Sequence, residues 1–539
     1  MIKKEETALS EGSNSRIATN GFDTASTRSR PNGIVTNAAW NSGYIVWTMV
    51  ISFILTPILI IHLGLEQYGI LLIVWSITGI VGTLNLGLGE ATLRYVARYH
   101  GAQDMAGVNR VFGATLSLYV VLCGAVSLGL ITLSPYMARW LNVATEMQDL
   151  VSWLFRLSAL GIIFSIVMSL FGAVAPALQR YEINTKINII ASVARSAGYI
   201  SLALAAQSIV YIVVLDLAIT LITFFFVVRA AKKLLPSLSL TPSFSFLGLR
   251  EIAGYRTFSF LTFLFHKLHR ECGKLLLSRF LGPVPVTYLA TPDNVAQRLH
   301  EVIAGAVEAS LPRFSADRDK RAAESLFWSM TWVGLAFSLI LLIPFSILVG
   351  DFLRLWINAE FSEHSKVIGQ LLGAYLISQG AFVAPAAYFR GTGQPWVVTL
   401  VILGSLTITV ISGAILIPSV GAIGVGYAYF AGSAAPFLGV VVGSFYAFGW
   451  SAGPKLARTV VTPLFSAIIA AGLGLYISRF IGTESWFKLT INGVILAMIT
   501  MILVFVSDYL VHRTESTALR LVRKVNQKLP YRTLRHSHN

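Results

Sequence analysis

The chain has 539 residues, of which 55% are hydrophobic and only 12% are charged. Because soluble domains carry roughly 25% charged residues, a single aqueous core could not bury this much apolar surface, so lipid must solvate most of the chain. The net charge of +16 would suit a nucleic-acid partner, but the cations fall in short loops between apolar segments, as membrane topology places them, and no nucleic acid is expected.

The chain is predicted to be an all-α polytopic membrane protein. Its first 39 residues are rich in Ser, Thr, Asn and Gly, which indicates a disordered cytoplasmic tail without a cleavable signal peptide. About fourteen apolar segments follow, each long enough to cross a hydrocarbon core roughly 30 Å thick. We place them at 41–63, 69–88, 111–133, 150–176, 187–206, 208–228, 257–280, 286–310, 326–349, 366–389, 396–418, 421–446, 459–479 and 488–510.

The distribution of Lys and Arg predicts the orientation of these segments. With the N-terminus in the cytoplasm, the inside loops and tails hold about 29 Lys and Arg and the outside loops about five. Miscounting by one helix would destroy this bias from that point onward. We therefore expect both termini to face the cytoplasm of a bacterium, with the protein in its plasma (inner) membrane.

The predicted segments divide into an N-lobe over 40–230 and a C-lobe over 257–446. A cytoplasmic linker at 231–256 joins them, and its residues 244–256 have the pattern of an interfacial amphipathic helix. Two further helices at 447–511 and a basic tail at 512–539 complete the chain. A faint internal repeat supports the two halves, because Leu63-Gly64 with Tyr68 and Leu281-Gly282 with Tyr288 end the first and seventh segments.

The first half carries two charges at membrane depth. Arg195 lies near the middle of the fifth segment, and Asp216 lies about eight residues from the outer end of the sixth. Intramembrane charges usually pair with each other or mark a functional path. The sequence leaves both readings open: a structural ion pair, or a substrate contact made by Arg195.

The seventh segment, TFSFLTFLFHKLHRECGKLLLSRFL, is too polar to face lipid on all sides. Lys267, Arg270, Glu271 and Lys274 follow helical spacing and form one stripe, with His266 and His269 beside it. Four central charges cost roughly 10–14 kcal/mol, whereas about ten apolar residues return only about 3–6 kcal/mol. Since one acid cannot neutralise three cations, the stripe predicts an anionic ligand.

The eighth segment carries a second polar stripe of Asp293, Gln297, Glu301 and Glu308, with Arg298 and His300 nearby. Its acids are candidates for pairing with the seventh-segment cations, or for binding a coupling proton or sodium ion. Two interpretations remain open: a static ionic lock between the two helices, or a solvated cavity. They are compatible if the lock opens during transport.

Several other sequence patterns do not indicate a metal, disulfide, nucleotide or catalytic site. The His266, His269 and Cys272 group lies among cations that oppose a divalent metal, so no metal site is expected. Cys123 and Cys272 both fall in apolar segments, which excludes a disulfide framework. The turn Gly391-Thr392-Gly393-Gln394-Pro395 lacks the glycine spacing and lysine of a phosphate-binding loop, and there is no nucleophile elbow. We expect no cofactor and no enzyme activity.

Four short motifs occur in order along the chain. They are Leu63-Gly64-Leu65-Glu66-Gln67-Tyr68-Gly69, Leu84-Asn85-Leu86-Gly87-Leu88-Gly89 followed by Arg94-Tyr95-Val96-Ala97, Phe280-Leu281-Gly282, and Arg390-Gly391-Thr392-Gly393-Gln394. With this order and spacing, they resemble the polysaccharide-transporter (O-antigen flippase-like) family of the multidrug/oligosaccharidyl-lipid/polysaccharide exporter superfamily. The similarity spans roughly 38–450. Unlike the lipid II flippases of this superfamily, the first segment here has no central arginine, which argues against a peptidoglycan substrate.

The resemblance implies two six-helix lobes in a V around a central cavity, two peripheral helices and alternating access. It also implies a polyprenyl-diphosphate-linked oligosaccharide as substrate, with Lys267, Arg270 and Lys274 receiving the diphosphate. Membrane lipids and polysaccharide-assembly proteins are further candidate partners. The alternatives are a cation-coupled multidrug exporter of the same superfamily, a glycan polymerase or ligase, and a scaffold that transports nothing. The cationic surplus and the absence of a large outside loop favour the flippase.

Overall fold

The computed structural model describes residues 31–83, 88–206, 208–243, 257–308, 310–311, 314 and 319–512. Their regular secondary structure is entirely helical. The chain divides into two compact units, Met1–Trp47 and Thr48–Asn539. In the first unit, residues 31–47 are helical. All contacts described below lie within the second unit.

The helices of the first half follow the predicted segments closely. They are α1 Pro31–Gly82, α2 Leu88–Gly101, α3 Met105–Trp140, α4 Thr145–Gly172, α5 Val174–Ala177, α6 Tyr181–Ala206 and α7 Ile209–Leu234. Helix α1 contains two predicted segments, separated at Gly64, whose backbone is not helical (φ 79°, ψ 166°). In this half α4 packs against α3 and α7, and α6 packs against α7.

The helices of the second half carry the polar segment and its neighbours. They are α8 Thr257–Leu281, α9 Val284–Glu308, α10 Lys320–Trp356, α11 Ala359–Gly391, α12 Pro395–Val420, α13 Ile423–Gly432, α14 Ala434–Phe448, α15 Ala452–Leu456, α16 Thr462–Ile481 and α17 Trp486–His512. Helix α8 packs mainly against α12, whereas α9 packs against α11 and α10. The polar segment therefore lies among helices that are otherwise apolar.

Ten helical stretches in the described chain are long and apolar enough to cross a membrane. This number is smaller than the predicted fourteen for two physical reasons. Trp47–Gly82 and Ile423–Ile481 each contain two predicted segments within one stretch. Helices α8 and α9, with 25 residues each, are long enough to span, but the charges at their centres exclude them by composition. The chain is an all-α, multi-pass membrane protein.

The ends of the chain differ from the predicted boundaries in one respect. Residues 31–39, which their composition assigned to the disordered tail, form the start of α1. Pro31 suits the first position of a helix, because that position needs no backbone N–H partner. The predicted amphipathic helix at 244–256 and the basic tail beyond 512 lie outside the described residues. Cys123 and Cys272 are both free and buried.

The two sequence-similar junctions each contain a glycine with positive φ, and they contact each other. Gly64 and Gly282 have φ values of 79° and 83°, in the left-handed region that favours glycine. The Thr287 hydroxyl donates to the Leu65 carbonyl at 3.0 Å. A Cβ added at Gly69 would lie only 2.1 Å from the Pro283 carbonyl oxygen. The junctions of the first and second halves are therefore in close backbone contact.

Candidate functional site

Helix α8 carries a buried carboxylate that two lysines share. The Lys267 Nζ lies 2.7 Å from Glu271 Oε1, and the Lys274 Nζ lies 2.7 Å from Glu271 Oε2. Helical spacings of four and three residues bring these side chains onto one face. Glu271 and Lys274 are 4% and 8% exposed. One carboxylate thus holds two ammonium groups in the interior.

A second carboxylate on α9 repeats this arrangement with two arginines. Glu301 Oε1 lies 3.5 Å from Arg270 Nη1, and Glu301 Oε2 lies 2.9 Å from Arg298 Nη1. The Arg270 contact joins α8 to α9, and all three side chains are about one-third exposed. Together with the Glu271 group, this gives an ionic network of four cations and two carboxylates, which we call the α8–α9 network.

Asp293 is the remaining buried acid at the centre of α9. Its Oδ1 accepts a hydrogen bond from the Gln297 amide at 3.2 Å, and the residue is 6% exposed. Within the described chain, no Lys or Arg nitrogen lies within ion-pair distance of its carboxylate. Even with Asp293 ionised, the α8–α9 region keeps a positive surplus.

Glu308 does not join the stripe that the sequence predicted for it. Its carboxylate pairs with Arg390 Nη2 on α11 at 2.9 Å. Helix α9 packs against α11. Glu308 lies on the side of α9 that faces α11, away from the cations of α8. The expected second stripe therefore splits, since Glu301 faces α8 and Glu308 faces α11.

His266 and His269, which were predicted to line a substrate cavity, lie with His300 around a small internal space. His266, His269, Arg270, Gln297 and His300 line a cavity of about 20 Å³ with α11 and α13 side chains. This volume holds about one water molecule. His269 is 3% exposed, and its ring contacts the Thr409 hydroxyl at 3.1 Å and the Tyr375 hydroxyl at 3.2 Å. His269 is thus a buried packing residue in this conformation.

Among the described residues, no group of three or more His, Cys, Asp and Glu side chains is arranged to hold a metal ion. The Cys272 thiol donates to the His269 carbonyl at 3.1 Å, within its own helix. The Tyr429 hydroxyl donates to the same carbonyl at 3.2 Å.

A larger cavity lies in the first half of the molecule, and we call it the first-half cavity. It has a volume of about 640 Å³. Helices α1, α4, α6 and α7 line it with Val74, Trp75, Thr78, Gly79, Gly82, Leu157, Ser158, Gly161, Ile162, Ser165, Arg195, Tyr199, Val213, Asp216, Leu217 and Thr220. Such a volume is in the range of roughly 300–1,000 Å³ typical of small-molecule sites.

The predicted charges of the first half meet in the wall of this cavity. Arg195 Nε lies 2.7 Å from Asp216 Oδ1, and each side chain is about one-third exposed. Arg195 Nη2 also reaches the Thr220 hydroxyl at 3.5 Å. Trp75 and Tyr199 stack beside the pair, with ring centroids 5.8 Å apart. Sequence reasoning singled out the two charges but missed the aromatic pair, because aromatic residues are common in any apolar segment.

Lys267 links the α8–α9 network to the first-half cavity. A Cβ added at Gly79, which lines that cavity, would lie 3.1 Å from the Lys267 Nζ. The ammonium group therefore lies between the Glu271 carboxylate and the cavity wall.

The Tyr375, Gln379 and Thr409 contacts around His269 were also missed by sequence analysis. Isolated polar residues in α11 and α12 were the only signal for them.

The fold is shared with transporters of known structure. An inward-facing multidrug resistance MATE family transporter of the MOP superfamily is 16% identical, with a TM-score of 0.64 over 73% of this chain and 94% of that chain. The lipid II flippase MurJ in an inward closed conformation is 12% identical, with a TM-score of 0.63 over 87% of this chain and 99% of that chain. An outward-facing multidrug resistance MATE family transporter is 16% identical, with a TM-score of 0.53 over 74% of this chain and 92% of that chain.

The curated proteins contain no match to this sequence. In contrast, residues 34–317, more than half of the chain, match the family described as polysaccharide biosynthesis protein. This match shows that the chain, a multi-pass membrane protein with the fold of these MOP-superfamily structures, belongs to the polysaccharide biosynthesis protein family.

Proposed function

We propose that this transporter flips a polyprenyl-diphosphate-linked oligosaccharide from the inner to the outer leaflet of the bacterial plasma membrane. The observation that carries the proposal is the α8–α9 network, in which two carboxylates serve four cations. A surplus of positive charge within the membrane is costly unless an anion complements it. A diphosphate supplies that complement, and bidentate arginine contacts suit its geometry.

Binding of the diphosphate competes with the internal carboxylates. Lys267, Arg270 and Lys274 receive the phosphate oxygens, while Glu271 and Glu301 hold the cations when no substrate is bound. Each cation is thus kept in place by an ion pair that the substrate can replace. This reading joins the two interpretations of the sequence, because the ionic lock and the substrate site are the same residues in different states.

Transport proceeds by alternating access between two lobes of six helices each, with fourteen helices crossing the membrane and both termini in the cytoplasm. In this orientation, the Gly69–Pro283 approach and the Leu65–Thr287 hydrogen bond lie at the outer end. The Ser278 hydroxyl also donates to the Leu141 carbonyl there, at 2.7 Å. These contacts support a state closed toward the outside, in which substrate enters from the cytoplasmic side.

An ion gradient drives the cycle, and Asp293 is the candidate coupling group. It is buried and hydrogen-bonded to Gln297 rather than paired with a cation. A carboxylate in this situation can bind a proton or a sodium ion without breaking an existing ion pair. Asp216, by contrast, is already neutralised by Arg195.

Substitution of the cations tests the proposal. In Lys267→Gln and Arg270→Gln, each carboxylate keeps its second cation, Lys274 or Arg298, so the protein should still fold. We expect export of surface polysaccharide to fall about tenfold or more in a complemented deletion strain, because the diphosphate loses a charge-assisted contact. Immunoblots of the membrane fraction report the amount of protein.

The matched control is Arg354→Gln. Arg354 pairs with Asp351 at 3.3 Å near the end of α10 and is exposed, so its loss should leave export unchanged. Normal surface polysaccharide in the Lys267 and Arg270 variants would refute the diphosphate role of the network.

A further inference from the structure

The first-half cavity is separate from the charges that the proposed function uses. It is lined by α1, α4, α6 and α7 and has a volume of about 640 Å³. Lys267 of the α8–α9 network lies beside Gly79, which lines this cavity. A cavity of this size inside a transporter is available to a part of the substrate other than its diphosphate.

The charges in the cavity wall cancel each other. Arg195 and Asp216 form an ion pair at 2.7 Å, and they are the only ionisable Lys, Arg, Asp or Glu side chains among the described residues that line it. A cation entering the cavity finds a carboxylate already paired, and an anion that approaches Arg195 also meets Asp216. The electrostatics therefore favour a ligand without net charge.

The remaining polar groups are short hydroxyls next to an aromatic surface. Thr78, Ser158, Ser165 and Thr220 contribute hydroxyl groups to the wall. Tyr199 stacks on Trp75 with an angle of 29° between the rings. Aromatic faces pack against the C–H groups of a ring, while hydroxyls and an Arg–Asp pair exchange hydrogen bonds with its polar edge. An uncharged ring with many hydroxyl groups matches both features.

We infer that the first-half cavity binds a sugar ring of the oligosaccharide, with Trp75 as the stacking platform and the Arg195–Asp216 pair as the hydrogen-bonding edge. This inference rests on the proposed function, since it assigns the glycan of the same substrate. The position of Lys267 supports it, because its ammonium group lies beside Gly79 in the cavity wall. A sugar in the cavity and a diphosphate at Lys267 would be adjacent, as they are in a sugar linked to polyprenyl diphosphate.

Binding to two separate probes tests the inference. One probe is undecaprenyl diphosphate, which carries no sugar. The other is the mixture of oligosaccharides released by partial acid hydrolysis of the host's own surface polysaccharide, which carries no diphosphate. Affinities for the full-length protein in nanodiscs are measured by microscale thermophoresis. We expect Trp75→Leu and Asp216→Asn to weaken oligosaccharide binding about tenfold and to leave the binding of undecaprenyl diphosphate unchanged. In contrast, Lys267→Gln should weaken the binding of undecaprenyl diphosphate.

Trp153→Leu is the matched control. Trp153 is another tryptophan of the first half, on α4, but it is 49% exposed and does not line the cavity. The affinities for undecaprenyl diphosphate and for the oligosaccharides should therefore stay unchanged. The melting temperature of each variant shows whether it is folded. If Trp75→Leu does not fold, Asp216→Asn and the milder Tyr199→Phe carry the test.

The outcomes separate the two proposals. If undecaprenyl diphosphate binds through Lys267 but the oligosaccharides do not bind, or bind equally to the cavity variants, the sugar site is overturned and the proposed function stands. If undecaprenyl diphosphate does not bind at all, the proposed function fails. Ethidium binding that depends on Trp75, without oligosaccharide binding, identifies the cavity as a site for aromatic drugs and also overturns the inference.

Discussion

Glu271 is the residue on which the α8–α9 network depends most directly. It is 4% exposed, and two ammonium groups lie 2.7 Å from its two oxygens. Removing one member of a buried ion pair is far more costly than removing an exposed pair, because the remaining charge cannot return to water. Here two charges would be left, which makes this carboxylate the structural centre of the network.

The substitution Glu271→Gln should therefore have two opposite effects. We expect a loss of stability of about 3 kcal/mol, seen as a lower melting temperature of the purified protein. We also expect tighter binding of undecaprenyl diphosphate, because the internal competitor for Lys267 and Lys274 has been removed. Both are measurable on one preparation, by differential scanning fluorimetry and by thermophoresis.

The control for this change is Glu484→Gln. Glu484 forms an exposed pair with Lys488 at 2.8 Å, and such pairs contribute little, so neither stability nor binding should change. A stable Glu271→Gln variant with unaltered diphosphate affinity would contradict the competitive role assigned to this carboxylate.

At the scale of helices, the junctions at Gly64 and Gly282 explain a signal that looked faint in the sequence. Both glycines end a helix with φ near 80°, and the segments that follow contact each other through Gly69 and Pro283. Only a residue without a side chain fits at Gly69, since its Cβ would approach a carbonyl oxygen far inside van der Waals contact. The short motif thus encodes a close packing of two helix junctions.

The substitution Gly69→Ala should separate these junctions. Overpacked sites typically cost about 1–3 kcal/mol, so we expect a lower melting temperature and reduced polysaccharide export. Gly129→Ala is the matched control, because a Cβ at Gly129 on α3 would meet nothing within 4 Å. Equal stability of the two variants would show that the approach at Gly69 is not maintained in the membrane.

The predicted division into two halves becomes testable at the scale of the whole molecule. Leu65 and Thr287 belong to different halves and are joined by a 3.0 Å hydrogen bond. If the halves separate at this end during transport, a link between the two residues must stop the cycle. In Leu65→Cys/Thr287→Cys, a short bis-methanethiosulfonate crosslinker, which joins both thiols through disulfides, should abolish export, and a reducing agent that cleaves those disulfides should restore it.

Each single cysteine variant serves as a control for this experiment. Cys123 and Cys272 are buried, so the singly substituted proteins should export normally with the crosslinker present. Full export by a protein shown to be crosslinked would exclude separation of the halves at this end.

Features that depend on local chemistry could be predicted from the sequence. The length and apolarity of each segment fix which residues form membrane helices, because the bilayer imposes one length scale on all of them. The charge cost of α8 is likewise a property of that segment alone, so its burial among protein helices followed from the sequence. Sequence spacing also brought Lys267 and Lys274 to Glu271, since partners three and four residues apart share a helix face.

The partners that come from distant segments could not be predicted and became clear from the packing of the helices. Glu308 pairs with Arg390 rather than with α8, and the His269 ring contacts the hydroxyls of Tyr375 and Thr409. The first-half cavity combines Trp75 of α1 with Tyr199 of α6. Helical periodicity shows which residues share a face, but it does not show which other helix that face meets. That choice depends on how the helices pack, and no single segment contains it.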